Sequence, residues 1–305
     1  MRSRHIRLAP RDYQVLAGLE KWGVLGLGQI IGLGFSVWVD EARKARLFFN
    51  EPDRRLYGQV GYKRLRDLER ASLVRAHYSL NFPKVFTLAE RGHQRLKEAG
   101  HARLPGFRRS ISPELVRHEI LLSGVGLMMQ KSFGLPVQSE NERLRRNSWK
   151  GRSPDPTKYV CPDLVVWIGD RLVALEVELS QKSERRYELI WDRMASRPRD
   201  RVALYLTAWP GGVRFILRLA EQWRRHWIYA CDLGRFRESL GMHDFENCRQ
   251  ARIRLDMLEQ TLPKPRKPEP PPFDWSDVHT VVGDDGRVVH RIYDEATNQW
   301  KEVQP

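Results

Sequence analysis

The sequence predicts an α/β chain, α+β overall, in which a mostly helical N-terminal domain precedes a mixed sheet flanked by helices. Three observations carry this. Residues 10–100 alternate helical and strand periodicity in the order helix, helix, helix, strand, strand, helix. Residues 113–231 follow as helix, strand, strand, helix, strand, helix, strand. The chain has 305 residues, 41 % apolar, with ten Trp, enough for about two domains with substantial cores. The boundaries are 8–100 for the first domain, 101–112 for a linker, 113–260 for the second domain and 261–305 for a tail.

In the first domain, Pro10-Arg11-Asp12 starts a helix whose Tyr13, Leu16 and Leu19 share a face. Gly26 to Ile31 begins a second, short helix. Residues 57–71 carry Val60, Leu65 and Leu68 among Lys63, Arg64, Arg66 and Arg70, which predicts a third, basic helix. Leu73 to Tyr78 alternates like a strand, Asn81-Phe82-Pro83 supplies turn chemistry, and Val85 to Leu88 returns. Ala89 to Leu96 closes the unit as a helix. Three helices and a hairpin in that order resemble a winged helix-turn-helix. The resemblance implies that the helix at 57–71 enters a DNA major groove. Arg54, Arg55, Lys63, Arg64, Arg66 and the hairpin residue Lys84 are then the expected DNA contacts. The competing reading is a protein-contact domain with a solvated basic face.

Residues 101–112 read as the linker, and Ser112-Pro113 as a cap followed by a first helical turn. The helix from Pro113 to about Lys131 buries Leu115, Ile120, Leu121 and Val125. Its His118 reads as a surface or packed histidine. Residues 138–158 are polar and Arg-rich, a loop or short strand. Strands are predicted at 160–168 and 172–179, a helix at 183–195, a strand at 202–206, a helix at 213–225 and a strand at 227–231. Beyond 262 a basic, Pro-rich stretch predicts extended backbone. Residues 278–282 and 288–293 flank Gly283-Asp284-Asp285-Gly286 and resemble a small β-hairpin.

Candidate chemistry lies in two adjacent apolar runs. Asp163, after Pro162, opens Leu164 to Ile168; Leu172 to Leu175 leads into Glu176-Val177-Glu178. Strand alternation puts Glu176 and Glu178 on one face and Leu175, Val177 and Leu179 on the other. A hairpin of the two runs brings Asp163 near that pair. Clustered carboxylates repel one another unless a divalent cation lies among them. The pattern points to Mg²⁺ or Mn²⁺ held by Asp163, Glu176 and Glu178, with metal-assisted phosphodiester cleavage as the chemistry. Glu178 or Lys182 would orient or deprotonate the water, or Lys182 would neutralise charge on the phosphate. The bland alternative is an ordinary edge strand with a solvated face.

Lys+Arg outnumber Asp+Glu by 53 to 38, a net charge of +15, so a polyanionic partner, double-stranded DNA, is expected. No run of ~18 or more apolar residues predicts a membrane span. The N-terminus lacks the apolar core of a signal peptide. Cys161, Cys231 and Cys248 are odd in number and lack metal-ligand spacing, so a reducing cytoplasm is expected.

The α-β-β-α-β order with Asp163 and Glu176-Val177-Glu178 resembles the PD-(D/E)XK, or restriction-endonuclease-like, nuclease superfamily. That resemblance implies a metal bound by Asp163 and Glu176, with Glu119 of the preceding helix joining. This chain has Glu178 where the superfamily usually has a Lys, and Lys182 lies four residues beyond. Arg117-His118-Glu119, Pro162-Asp163 and Leu175-Glu176-Val177-Glu178 after a winged helix also resemble the replication-relaxation family, which is similar to the MOBC-type relaxases. The resemblance spans roughly residues 10–235. It implies binding, and nicking, at an origin of transfer or replication on a plasmid or integrative element. The Pro-rich tail would then recruit transfer or replication machinery. The alternative is a non-catalytic accessory factor or repressor with a degenerate nuclease fold.

Overall fold

The structure, a computed structural model, describes residues 6–35, 46–49, 59–79, 82–108, 111–143, 162–168, 171–195, 202–257, 279–282, 288–294 and 299–303. The chain divides into two compact units, residues 1–262 and 263–305. Arg54, Arg55 and Cys161 lie outside the described residues, as do most of the Arg-rich stretch at 138–158 and the Pro-rich stretch.

The first unit begins with α1 (Pro10–Trp22). Pro10 occupies the first turn, where its missing N–H costs nothing, and Asp12 accepts the Ala9 N–H at 2.7 Å. Strand β1 (Leu25–Gly26) leads directly into α2 (Leu27–Gly34). Helix α3 (Gln59–Arg70), β2 (Val74–Ser79), β3 (Phe82–Leu88) and α4 (Glu90–Glu98) follow as the periodicity predicts. The short β1 adds a strand that the sequence reading omits, giving a three-stranded sheet ordered β1-β3-β2. Two residues are too few to show alternation, so only the pairing of Leu25 with Phe86 reveals it.

Arg64 of α3 donates from Nε to Asp12 Oδ1 at 3.0 Å and from Nη2 to Asp12 Oδ2 at 2.7 Å. Nη2 also reaches the Arg7 carbonyl at 2.7 Å. Asp12 is fully buried, so this bidentate pair satisfies a charge that would otherwise be stranded.

Helix α5 (Val116–Ser132) joins this region to a seven-stranded sheet. Its Ile120 carbonyl and the Phe48 carbonyl each accept from the buried Gln29 side chain of α2 at 2.7 Å. A Cβ at Gly126 would lie 2.2 Å from the Trp22 ring, so this glycine permits the close approach of α1 and α5. The segment read as a linker is tied to the body. The Arg103 N–H donates to Glu20, Leu104 is buried, and Arg108 pairs with Glu119.

The sheet contains β4 (Val137–Ser139), β5 (Leu164–Ile168), β6 (Arg171–Glu178), β7 (Val202–Thr207), β8 (Ile228–Asp232), β9 (Phe245–Asn247) and β10 (Arg252–Ile253). Their spatial order is β10-β9-β8-β7-β6-β5-β4. The pairs β6·β7 and β7·β8 are parallel and the other four antiparallel, so the sheet is mixed and mostly antiparallel. Helices α6 (Glu184–Ala195) and α7 (Gly212–Gln222) form the crossovers that parallel strands require. Helix α8 (Leu233–Glu238) follows β8 directly.

Both faces of the sheet are covered. Leu164, Val166, Leu175, Leu204 and Leu206 share a core with Leu16 and Leu19 of α1 and Val125 and Met128 of α5. Ala174, Ala203 and Tyr205, one residue out of phase, pack on Tyr187, Trp191, Ile216 and Leu219 of α6 and α7. No helix among the described residues is long and apolar enough to cross a membrane.

The second unit holds β11 (His279–Val282), β12 (Val288–Asp294) and β13 (Gln299–Val303) in a three-stranded antiparallel sheet. The expected hairpin is present and gains a third strand. Its Gly283–Gly286 connection lies outside the described residues.

Arg64→Ala leaves Asp12 buried without its partner, and should lower stability by about 2–4 kcal/mol in urea unfolding. Arg66, exposed on the same helix, should change stability by less than about 0.5 kcal/mol when replaced by Ala.

Candidate functional site

Strands β5 and β6 pair antiparallel with Leu164 opposite Leu175, which brings Asp163 to the end of the pair beside Glu176 and Val177. The Val177 N–H donates to Asp163 Oδ2 at 2.8 Å. His118 Nε2 of α5 lies 3.2 Å from the same carboxylate oxygen and 3.0 Å from the Val177 carbonyl. Both neighbours are acceptors, so Nε2 carries a proton and donates to them. Burial lowers the His118 pKa, but the hydrogen bond and charge of Asp163, the Val177 carbonyl and Glu140 together outweigh burial, and the net shift is upward.

Glu176 and Glu178 occupy interior strand positions opposite Tyr205 and Thr207 of β7. They are 8 % and 4 % exposed. The edge-strand reading with a solvated face is therefore corrected: β6 has β5 on one side and β7 on the other, and α6 covers the glutamate face.

The electrostatics follow from that burial. The Glu176 side chain makes no hydrogen bond among the described residues. Desolvation, then Asp163, holds its carboxyl well above the usual carboxylate range. Glu178 is pushed up chiefly by burial, and its ion pair with Lys182 opposes that shift. Burial and then Glu176 push up the Tyr205 hydroxyl, which accepts from Trp191 Nε1 at 2.8 Å. The Tyr187 hydroxyl is buried with no hydrogen-bond partner meeting normal geometry among the described residues, and burial followed by Glu178 pushes it up.

Asp163, Glu176, Glu178 and Lys182 thus meet at one end of β5 and β6. Two residues that sequence reasoning missed join them. His118 was read as a surface or packed histidine, and only the crossing of α5 over β6 reveals its contact with Asp163. Glu140 follows β4 in the stretch read as loop. Its N–H donates to the Asp163 carbonyl at 3.0 Å, and burial and then Asp163 raise its pKa. An acid placed just after Ser139 in an Arg-rich segment is the single sequence signal for it.

Glu119 instead pairs with Arg108 at 2.5 Å, because its helix position turns it toward the 101–108 segment. Among the described residues no three His, Cys, Asp or Glu side chains are grouped to hold a metal ion. The reason lies in the partners. Lys182 occupies Glu178, while His118 and the Val177 N–H occupy Asp163. Donor chemistry fits a hard divalent cation, since all three carboxylates offer oxygen. The side-chain arrangement pairs Asp163 and Glu178 internally and gives the Glu176 side chain no hydrogen bond among the described residues.

The expected DNA contacts separate into two groups. Lys63 and Arg66 are exposed on α3. Arg64 has its guanidinium held by buried Asp12. Lys84 is engaged within the chain likewise. It donates to Glu69 at 3.1 Å and lies over the Tyr78 and Phe86 rings at 4.9 and 5.1 Å, which stem from the same hairpin.

No family model matches the chain, and no curated protein matches it. A solved structure, protein VC1899 from Vibrio cholerae, is similar at 14 % identity with a TM-score of 0.27. The match covers 77 % of this chain and 56 % of that one, so this chain spans little more than half the length of that protein.

A carboxyl with a raised native pKa binds protons more tightly folded than unfolded, so its contribution to stability falls as pH rises. The penalty is absent below the unfolded carboxylate value and grows through the native one. Glu176→Gln removes it. The variant's stability advantage over wild type should therefore be larger at about pH 7 than at about pH 4, as read from urea midpoints. An equal difference at both would show that Glu176 is not held protonated by burial.

Proposed function

We propose that the chain is a DNA-binding protein with a restriction-endonuclease-like domain, acting as a metal-dependent nuclease or nickase on DNA. The observation that carries this reading is the convergence of Asp163, Glu176, Glu178 and Lys182 at the end of an interior strand. A structural strand end seldom gathers three acids, two of them buried, because desolvation and mutual repulsion both oppose it. Asp163, Glu176 and Glu178 would hold Mg²⁺ or Mn²⁺, which would supply a water of lowered pKa and an electrophile for the phosphate oxygen. Lys182 would leave Glu178 when the cation binds, and then stand as a proton carrier or as a counter-charge for the phosphate. His118 would keep Asp163 oriented through its Nε2–H.

The N-terminal helices and hairpin would act as a winged helix that holds the duplex. Lys63 and Arg66, exposed on α3, supply the cations, and exposed Tyr62 and Tyr78 flank them. The net charge of +15 favours a polyanion. On the resemblance to the replication-relaxation family and MOBC-type relaxases, the DNA would be an origin of transfer or replication on a mobile element. The tail would recruit the transfer or replication machinery.

A second reading has its own support. Lys182 on Glu178 and His118 on Asp163 balance the acids without a cation. A non-catalytic accessory factor or repressor would retain the nuclease-like fold in this state.

Supercoiled plasmid carrying the element's origin, incubated with Mg²⁺ or Mn²⁺, separates the two. Wild type should yield nicked circles and Asp163→Ala should not. If both leave the plasmid at background while binding it equally, the accessory-factor reading stands and the nuclease reading falls. DNA binding has a separate check. The Lys63→Ala/Arg66→Ala double variant should weaken affinity and reduce the slope of log K against log salt by about two. An unchanged slope would remove α3 from the interface.

A further inference from the structure

The parallel strands β6, β7 and β8 end at Glu178, Thr207 and Asp232. Open α/β sheets bind ligands outside such carboxyl ends. The carboxylate cluster occupies the end of β6. Beyond the ends of β7 and β8 lies a cavity of about 260 Å³ that the proposed function does not use.

Its walls have a definite chemistry. The loop from β7 to α7 contributes Trp209 and Gly212. Helix α7, 11 residues long, starts after Gly211, a left-handed residue at φ 79°; the Gly212 N–H donates to the Trp209 carbonyl at 3.0 Å, and no side chain caps the N–H groups that follow. Those N–H groups carry the positive end of the helix dipole. Arg214 and Arg235 line the same cavity, with His243 beside them. None of the three has a carboxylate partner among the described residues. The acids of the wall are mostly engaged elsewhere: Asp232 accepts the Arg235 N–H at 2.9 Å, and Glu246 pairs with Arg252 at 3.0 Å. Asp244 is left to accept a hydrogen bond.

A buried polar atom stands behind this wall. Thr207 Oγ1 is wholly buried and has no hydrogen-bond partner among the described residues. It faces the bare side of Gly212, where a Cβ would lie 2.8 Å from it. Gly212 is a cavity residue, so an unsatisfied hydroxyl stands directly behind the cavity wall.

We infer that this cavity binds a nucleoside monophosphate group, as a free nucleotide or as the phosphorylated end of a nucleic-acid strand. The phosphate takes the α7 N–H groups with Arg214 and Arg235. The base stacks on Trp209, and Asp244 accepts from a sugar hydroxyl or an exocyclic amine. The volume suits one nucleotide, at the small end of ligand pockets. Cys231, also in the wall, takes no covalent part, because burial and then Asp232 push its thiol up to about 12. The site is independent of the carboxylate cluster and survives if that cluster proves inert.

The test is calorimetric titration of the full chain with deoxyadenosine 5′-monophosphate and with deoxyadenosine. Two oligonucleotides of one sequence, with 5′-phosphate or 5′-hydroxyl ends, complete the set. The phosphorylated member of either pair should bind at least about tenfold tighter than its partner. Preference within the first pair identifies a free nucleotide, and preference confined to the second identifies a strand end. Arg214→Ala/Arg235→Ala should erase the preference without moving the thermal midpoint, while Arg218→Ala on the exposed part of α7 leaves it intact. Should the double variant lose its folding transition, Arg214→Glu alone carries the comparison. Equal binding of phosphorylated and unphosphorylated probes, or an equal loss in Arg218→Ala, overturns the inference.

Discussion

Burying carboxylates at the end of an interior strand is the constraint around which the rest of this chain is arranged. Glu176 and Glu178 sit on β6 with β5 and β7 on either side and α6 above them. An ionised carboxylate in that position loses most of its hydration, and each neighbour compounds the cost. The surroundings answer in three ways. Lys182, four residues past Glu178, returns to it as a counter-charge. His118 crosses from α5 to bond Asp163 and the Val177 carbonyl. Glu176, with neither, has its carboxyl pushed toward the neutral form.

These responses bind distant segments together. His118 fixes α5 against β6, and Asp163 fixes the end of β5 to the Val177 N–H. Glu140 ties the residue after β4 to the Asp163 backbone. The N-terminal helices use the same device on a smaller scale, since buried Asp12 is satisfied by Arg64 and anchors α3 to α1. At Asp12 and Glu178 a charge inside the protein is matched by a basic side chain that composition alone would assign to an external polyanion. A net charge of +15 therefore overstates the cations available to a partner: Arg64, Lys84 and Lys182 are already engaged.

The parallel β6, β7 and β8 give the sheet a functional edge. Their carboxyl ends hold the acidic cluster and, beside it along the strand order, the cavity near Trp209 and Arg214. The end of β6 is acidic and buried, while the cavity beyond β7 and β8 combines Arg214 and Arg235 with Asp232, Asp244 and Glu246. Both lie at this edge because a parallel strand ends where its crossover helix begins.

The sequence by itself determined the elements that have strong periodicity. Helices α1, α3, α6 and α7 and strands β5 to β8 carry enough alternation or three-to-four spacing to be read locally, and the pairing of the runs at 164–168 and 171–178 follows from their adjacency. It also determined that Asp163 lies near Glu176 and Glu178, since a hairpin and a period of two leave little choice. Strands β1, β9 and β10 were not legible, because two or three residues carry no period and owe their pairing to neighbours far along the chain. Only the tertiary structure decided which charges are spent. Arg64 and Arg66 look alike in sequence, yet a buried Asp12 lies against one and water against the other. His118 became part of the site and Glu119 was drawn away to Arg108 for the same reason. A charged side chain takes the partner that packing brings within a few ångströms, and that distance is set by the crossing of helices and strands.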